Sequence, residues 1–215
     1  MEDIELKQMW ASLYEKQDTN LIINKKNLEN TTNLSVMSLL NSMKPTKIIA
    51  IIVGILWVFF LDTIIINTFG VATWFFTVSA SIQSVITKLA IGVYLYQLIT
   101  IQQVDNSQSV VITQQKLSEL KTSTLWVTRI LFLQLPVWST FYLNPSLFKA
   151  DNLFWLVFQG IVTLLLIYGA IWLFININPK NKDKRWFKLL FEGKEWNPII
   201  KSMELIDDLK EFEKL

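Results

Sequence analysis

Two charged residues interrupt otherwise apolar stretches of the sequence, and they are the residues best placed to do chemistry. Asp62 follows the charge-free run 48–61, and Lys88 follows the charge-free run 63–87. A carboxylate and an ammonium group in apolar surroundings could relay a proton or an ion, or sense a ligand. The alternative is a buried ion pair that fixes the register of two neighbouring helices. We favour the ion pair, because transport also needs a polar pathway and other polar residues in these stretches are few.

The composition excludes most other kinds of site. The 215 residues include no Cys and no His, which rules out disulfides, thiolate nucleophiles, zinc fingers and Ser-His or Cys-His catalysis. The sequence also has no Gly-rich phosphate loop and no cluster with metal-ligand spacing. A net charge of +2 provides no general basic field for nucleic acid. We therefore predict a protein that is not an enzyme, has no cofactor or metal, and does not bind nucleic acid directly.

The balance of apolar and charged residues indicates a membrane protein. Hydrophobic residues make up 52% of the chain and charged residues 18%, whereas soluble domains contain about 25% charged residues. A helix needs about 20 mainly apolar residues to cross the hydrocarbon core. The runs 48–61 and 89–104 are too short alone, so Asp62 and Lys88 have to lie inside spans. This predicts an all-α polytopic fold with four transmembrane helices, at about 47–67, 80–103, 125–143 and 153–176.

The two charged residues are predicted to lie at the same depth. Each is fifteen residues from one end of its span, Lys47 for Asp62 and Gln103 for Lys88, which corresponds to about 22 Å. Antiparallel neighbours would therefore bring the two groups together in the outer third of the bilayer. A lone charge there costs about 2.5 kcal/mol or more, and pairing lowers this cost.

The connections between the spans can be predicted as well. The aromatic-rich stretch 69–79 is expected to be a short outer connection at the membrane interface, where Trp is favoured. A rival division makes 71–87 a fifth span, but Lys88 would then need a turn with no Gly or Pro beside it. Pro136 is expected to kink span three, because proline disrupts the helical hydrogen-bond ladder.

The distribution of Lys and Arg predicts the orientation. Six of them precede span one, two lie between spans two and three, and nine follow span four. On the opposite side, Lys149 between spans three and four is the single one. By the positive-inside rule, both termini and the middle connection are cytoplasmic. We therefore predict a multi-pass membrane protein with both ends in the cytoplasm.

Apolar residues at helical spacing occur in both flanking segments, the N-terminal arm 1–45 and the tail 179–215, on either side of the transmembrane domain 46–178. Either the two amphipathic ends cover each other, which we favour, or they form a docking site for another protein. A break or a loose helix is expected in the arm at 20–33, which contains five Asn. The candidate partner-binding residues are Leu6, Met9, Trp10 and Leu13 in the arm, and Ile199, Met203, Ile206, Leu209 and Phe212 in the tail.

A basic cluster follows span four directly. Asn178-Pro179 ends the span, and the segment that comes next combines a basic cluster with Trp186, Phe187, Leu189 and Leu190. Such a segment is suited to an anionic membrane surface, with the cations over the lipid headgroups. The predicted membrane-surface residues are Lys180, Lys182, Lys184, Arg185 and Lys188.

Several stretches, spread over most of the chain, resemble the sequences of a protein family. They are MEDIELK at 1–7 with Met9-Trp10, KIIAIIVGILW at 47–57, VDNSQSV at 104–110, QKL at 115–117 and LKEFEK at 209–214. Together they resemble a family of uncharacterised integral membrane proteins from Bacteroidetes. Members are often encoded beside sigma factors, which implies a regulatory role, and the resemblance implies a bacterial inner membrane. The family usually has a Tyr and a Pro in the middle connection, where this chain has Asn106 and Ser109.

Three functions remain open at this point. The leading hypothesis is a membrane-anchored binding or regulatory protein, whose cytoplasmic helices hold a cytosolic partner such as a sigma factor. The first alternative is a small transporter or channel subunit that uses Asp62 and Lys88. The second is a structural subunit of a larger membrane complex. The partners to consider are thus the lipid bilayer, a cytosolic protein and further copies of the same chain.

Overall fold

The computed structural model describes residues 2–104, 110–149, 152–191, 193 and 195–212, with side chains for all of these except 2–8, 11, 12 and 212. This part of the chain is helical and contains no strand, which confirms the all-α class. The α-helices are α1 (Glu2–Asn41), α2 (Lys44–Thr68), α3 (Trp74–Gln102), α4 (Val110–Phe132), α5 (Leu135–Thr140), α6 (Leu153–Asn176), α7 (Arg185–Phe191) and α8 (Asn197–Phe212). Short 3-10 turns lie at Pro145–Phe148 and Pro179–Asn181.

Three helical stretches in the described residues are long and apolar enough to cross a membrane. They are Leu13–Thr68, which contains α2, together with Trp74–Gln102 and Leu153–Asn176. These stretches contain all of predicted spans one and four, and predicted span two as far as Gln102. Helix α6 has the bounds predicted for span four. The apolar side chains of α6 are largely exposed, because little else of the chain surrounds this helix. Such a surface is suited to a hydrocarbon solvent.

Helices α2 and α3 form a closely packed hairpin. An added Cβ at Gly54 of α2 would lie 3.0 Å from Ile91 Cγ1 of α3, so the two backbones approach there because the residue is glycine. The connection covers only residues 69–73, and Gly70 adopts a positive φ of 83° within it. Thr73 then caps α3 by accepting a hydrogen bond from the amide of Phe76 at 3.4 Å.

This hairpin corrects the predicted outer connection 69–79. Residues 74–79 belong to α3, because the Thr73 cap starts the helix there and aromatic residues continue it without a breaker. The rival fifth span ending at residue 87 is also excluded, since α3 is uninterrupted from Trp74 to Gln102 and passes straight through Lys88.

The predicted span three at 125–143 consists of two helices. Helix α4 ends at Phe132, and the short α5 starts at Leu135 with Pro136 in its first turn. Proline has no amide hydrogen and its ring clashes with the carbonyl four residues earlier, so the kink predicted there is a complete break. Side-chain hydrogen bonds hold α5 to its neighbours: Gln159 Nε2 of α6 donates to the Ser139 carbonyl at 2.6 Å, and the Ser79 and Thr140 hydroxyls lie 2.8 Å apart.

Helix α1 excludes the break at 20–33 and agrees with the alternative prediction of a helix there. The helix runs from Glu2 to Asn41 without interruption. The sequence 2–41 contains neither Gly nor Pro, and each Asn in a helix interior costs at most about 0.7 kcal/mol relative to Ala. The five Asn residues therefore weaken the helix without ending it.

The arm and the tail meet in what we call the terminal bundle, formed by the C-terminal part of α1, the N-terminal half of α4, and α8. Val36 and Leu40 of α1 and Met43 after it pack in one cluster with Leu117 and Leu120 of α4 and with Ile199, Ile206 and Leu209 of α8. A second, aromatic cluster lies beside it and contains Ile177, Phe187, Phe191 and Trp196. Together these clusters cover the end of the α2–α3 hairpin at which Ile101 and Val104 lie.

Candidate functional site

The structure brings Asp62 and Lys88 together. Lys88 Nζ donates to Asp62 Oδ2 at 2.8 Å, and Ser84 Oγ donates to the other carboxylate oxygen at 2.5 Å. Lys88 and Ser84 are one turn apart on α3, so a single face of that helix supplies both donors to α2. The pair therefore ties the two helices of the hairpin at one level.

This pair lies on the outside of the hairpin. The Lys88 side chain is 52% exposed and that of Asp62 is 38% exposed, so the charges face the surroundings of the helices and not an enclosed path. Other polar side chains along α3 point elsewhere: the Gln83 amide is fully buried without a hydrogen-bond partner, and Ser79 bonds to Thr140. The geometry is that of an ion pair that holds two helices in register.

A second polar site, at the other end of the hairpin, contains a fully buried lysine. Lys47 of α2 is 0% exposed, and its Nζ donates to Gln97 Oε1 at 2.5 Å. Gln97 Nε2 donates in turn to Ser123 Oγ at 2.9 Å. The ammonium group also lies 5.0 Å from the centre of the Tyr94 ring, a distance at which a cation is attracted by the ring face.

The segment between α7 and α8 completes this site. Glu195 lies near the Lys47 ammonium group, which it attracts electrostatically, and near Tyr94. One buried cation thus connects α2, α3, α4 and the C-terminal segment. Sequence reasoning used Lys47 only as the end of span one and as one of the positive charges at that end. Gln97, an amide inside the charge-free run 89–104, is the signal that could have found the site.

The candidate residues on α8 are occupied by the chain itself. Ile199 and Ile206 are fully buried and Leu209 is 2% exposed, in contact with α1 and α4. Met203 packs against the same cluster and is half-buried. The side chain of Phe212 lies outside the described residues. This helix face is therefore closed to a further protein in the present conformation.

The candidate residues on α1 have the opposite environment. Trp10 is 53% exposed and Leu13 is 50% exposed, and every residue from 13 to 28 is exposed. Met9 is exposed as well, and the side chain of Leu6 lies outside the described residues. The Trp10 and Tyr14 rings are 6.3 Å apart on successive turns. The N-terminal half of α1 thus presents large apolar side chains away from the terminal bundle.

The basic cluster lies directly after α6. Each of its five predicted residues is exposed: Lys180, Lys182, Lys184, Arg185 and Lys188. The segment is held to the end of α6, because Trp186 of α7 packs on Trp172 at 5.0 Å and Arg129 Nε donates to the Ile177 carbonyl at 2.6 Å. The cations are therefore held close to the end of a helix that can cross a membrane.

The described residues contain no group of three or more Asp or Glu side chains that could hold a metal ion. Comparison of the chain with protein-family models, with curated proteins and with solved structures finds no match. What this chain does therefore has to be inferred from its own residues and their geometry.

Proposed function

We propose that this protein is a membrane-anchored binding protein of regulatory function, which holds a cytosolic protein on the exposed half of α1. The observation that carries the proposal is the uninterrupted exposure of residues 13–28, although this stretch contains Leu13, Tyr14 and Leu21. Large apolar side chains left exposed on a helix are typical of a surface that another protein covers.

The pattern on α1 favours a helical or grooved partner. Trp10, Tyr14, Leu21 and Leu28 fall within about 40° of one another at 100° per residue, so they form a single stripe along the helix. The spacing of seven residues from Tyr14 to Leu21 and on to Leu28 is that of helices which pack side by side. Complete burial of one such side chain contributes about 1.5–3 kcal/mol, which gives a stripe of this length useful affinity.

The other half of α1 supplies a firm attachment. Val36 is 0% exposed and Leu40 is 1% exposed within the terminal bundle. The part of the helix before residue 29 is about 40 Å long at 1.5 Å per residue. It is a marginal helix in water by itself, and a partner that covers the stripe would stabilise it.

The orientation of the chain supports a cytosolic partner. Fourteen basic residues lie in the arm and the tail, so by the positive-inside rule both of these segments face the cytoplasm. We propose that the membrane is a bacterial inner membrane, as the resemblance implies. We propose four crossings, the third made by the end of α4 together with α5. The resemblance to Bacteroidetes membrane proteins encoded beside sigma factors makes a sigma factor the first partner to test.

Affinity capture of the full-length protein from solubilised membranes tests the proposal. We expect a cytosolic protein to be retained by the wild type and lost with Leu21→Lys, which places a charge in the stripe. Ile23→Lys is the matched control, because Ile23 is 49% exposed but lies on the opposite side of the helix. An identical set of captured proteins with both variants would refute the docking stripe.

The two other candidate functions predict different results. A transporter or channel that uses Asp62 and Lys88 predicts a flux that Asp62→Asn abolishes without a loss of folded protein. A structural subunit predicts integral membrane chains, and not a cytosolic protein, among the captured proteins. The Asp62–Lys88 pair faces outward and encloses no path, which disfavours a transporter, and the exposed α1 stripe favours a cytosolic protein as the partner.

A further inference from the structure

A pocket of about 370 Å³ lies between α7 and α8. Lys182, Lys188 and Lys201 line it, and Phe187 and Trp196 form its aromatic wall. These two rings are buried and meet edge to face at 5.6 Å, so the wall is rigid. Lys201 comes from α8 and the other two lysines from the segment after α6, so folding brings the three cations together.

The three ammonium groups are available for a ligand. Within the described part of the chain, none of them forms an ion pair or donates a side-chain hydrogen bond. Two carboxylates, Asp183 and Glu204, line the same pocket and leave a net charge of one positive unit. This balance suits a ligand with a single negative charge, such as a phosphodiester.

The position of the pocket points to a lipid. Helix α7 packs through Trp186 on Trp172, one turn before α6 ends at Asn176. On α7 itself, Leu189 is 83% exposed and Leu190 is 42% exposed beside the lysines. Exposed leucines next to cations are typical of a helix that lies at the boundary of headgroups and acyl chains. Basic pockets at this level are suited to the headgroups of anionic lipids.

We infer that this pocket binds the phosphodiester headgroup of an anionic phospholipid. The ammonium groups of Lys182, Lys188 and Lys201 contact the phosphate oxygens, the Trp196 and Phe187 rings pack against the glycerol part, and Leu189 and Leu190 contact the acyl chains. This inference is independent of the proposed docking of a protein on α1, which lies on a different element.

Native mass spectrometry of the full-length protein, released from an uncharged detergent, tests the inference. Phosphatidylglycerol, phosphatidylcholine and inorganic phosphate serve as the three probes. We expect one tightly bound phosphatidylglycerol per chain and at least about tenfold weaker binding of phosphatidylcholine, which carries a compensating positive charge. Inorganic phosphate should not displace the lipid at equal concentration, because it lacks the apolar part. Displacement by phosphate would overturn the assignment to a lipid.

A charge-matched pair of variants separates the pocket from general surface attraction. The pocket variant combines Lys182→Gln, Lys188→Gln and Lys201→Gln, and we expect it to weaken phosphatidylglycerol binding by about tenfold or more. The control combines Lys180→Gln, Lys184→Gln and Arg185→Gln, which removes the same charge from residues that do not line the pocket. We expect less than about a threefold change for the control. Equal losses in the two variants, or no loss in the pocket variant, would overturn the inference.

A single substitution keeps the test valid if the pocket variant does not fold. Lys201→Gln removes an exposed lysine from α8, and we expect it to weaken phosphatidylglycerol binding about threefold. Lys180→Gln is its control and should leave the affinity unchanged. The same affinity for both single variants would count against the pocket.

Discussion

Lys47 of α2 donates a hydrogen bond from Nζ to Gln97 Oε1 of α3 at 2.5 Å, and neither side chain is exposed to solvent. Gln97 Nε2 in turn donates a hydrogen bond to Ser123 Oγ of α4. The two partners are not equivalent, because a buried ammonium group without an acceptor costs far more free energy than a buried amide without a donor.

This asymmetry leads to a prediction about stability. Gln97→Leu should lower the free energy of unfolding by about 3 kcal/mol, because Lys47 stays buried without its acceptor. Lys47→Met keeps the apolar stem and leaves only an amide oxygen unpaired, so we expect a loss of about 1–2 kcal/mol. Thermal unfolding in detergent, followed by Trp fluorescence, measures which of the two variants loses more stability.

The control is Lys44→Met, which removes the same charge from a half-buried position and should change stability by about 0.5 kcal/mol or less. Equal losses for the two test variants would contradict this prediction.

The Asp62–Lys88 pair should show the behaviour of a structural ion pair. Asp62→Leu and Lys88→Leu each leave one charge on an apolar helix, and each should reduce stability by about 2 kcal/mol. The double variant removes both charges, and we expect it to be at least as stable as either single variant. Abundance in the membrane and thermal unfolding are the measurements. If the double variant is the least stable of the three, the free-energy cost of one unpaired charge does not explain the loss of stability in the single variants.

Two Gly→Ala substitutions distinguish the effect of close helix packing on stability from the effect of helix propensity. Gly54→Ala places a Cβ 3.0 Å from Ile91, so we expect α2 and α3 to separate slightly, at a cost of about 1 kcal/mol or more. Gly92→Ala meets nothing within 4 Å and should stabilise α3 by about 0.5–1 kcal/mol, since alanine is the better helix former. Thermal unfolding of both variants provides the comparison. A gain in stability for Gly54→Ala would refute the close approach.

The terminal bundle should depend on α8. Ile206→Ala removes a fully buried side chain, and we expect a cost of about 3 kcal/mol. Because α1 is held by the same cluster, the amides of residues 33–43 should exchange with deuterium faster in this variant. Leu189→Ala, at a residue that is 83% exposed, is the control and should leave this exchange unchanged. Unchanged exchange in Ile206→Ala would mean that α1 is held by other contacts.

Sequence reasoning succeeded where a property depends on the composition of one segment. A membrane-crossing helix is recognised by the length of its apolar run, so 153–176 was located to the residue as α6. The same logic placed Asp62 and Lys88 at one level of two antiparallel helices, because helical rise per residue is constant. Pro136 was recognised as a disruption since the effect of proline on a helix is local.

Other features depended on what lies next to a segment. The apolar faces of α1 and α8 look alike in the sequence, but the residues of α8 are buried against Val36 and Leu40, whereas Trp10 and Leu13 remain exposed. Lys47 reads as an ordinary surface cation until α3 places Gln97 beside it, and Lys201 joins the pocket only because α8 packs against α7. The apolar content and the helical period of a segment are determined by its own residues. Burial and pairing depend on which other segment fills the adjacent space, and only the tertiary structure decides that.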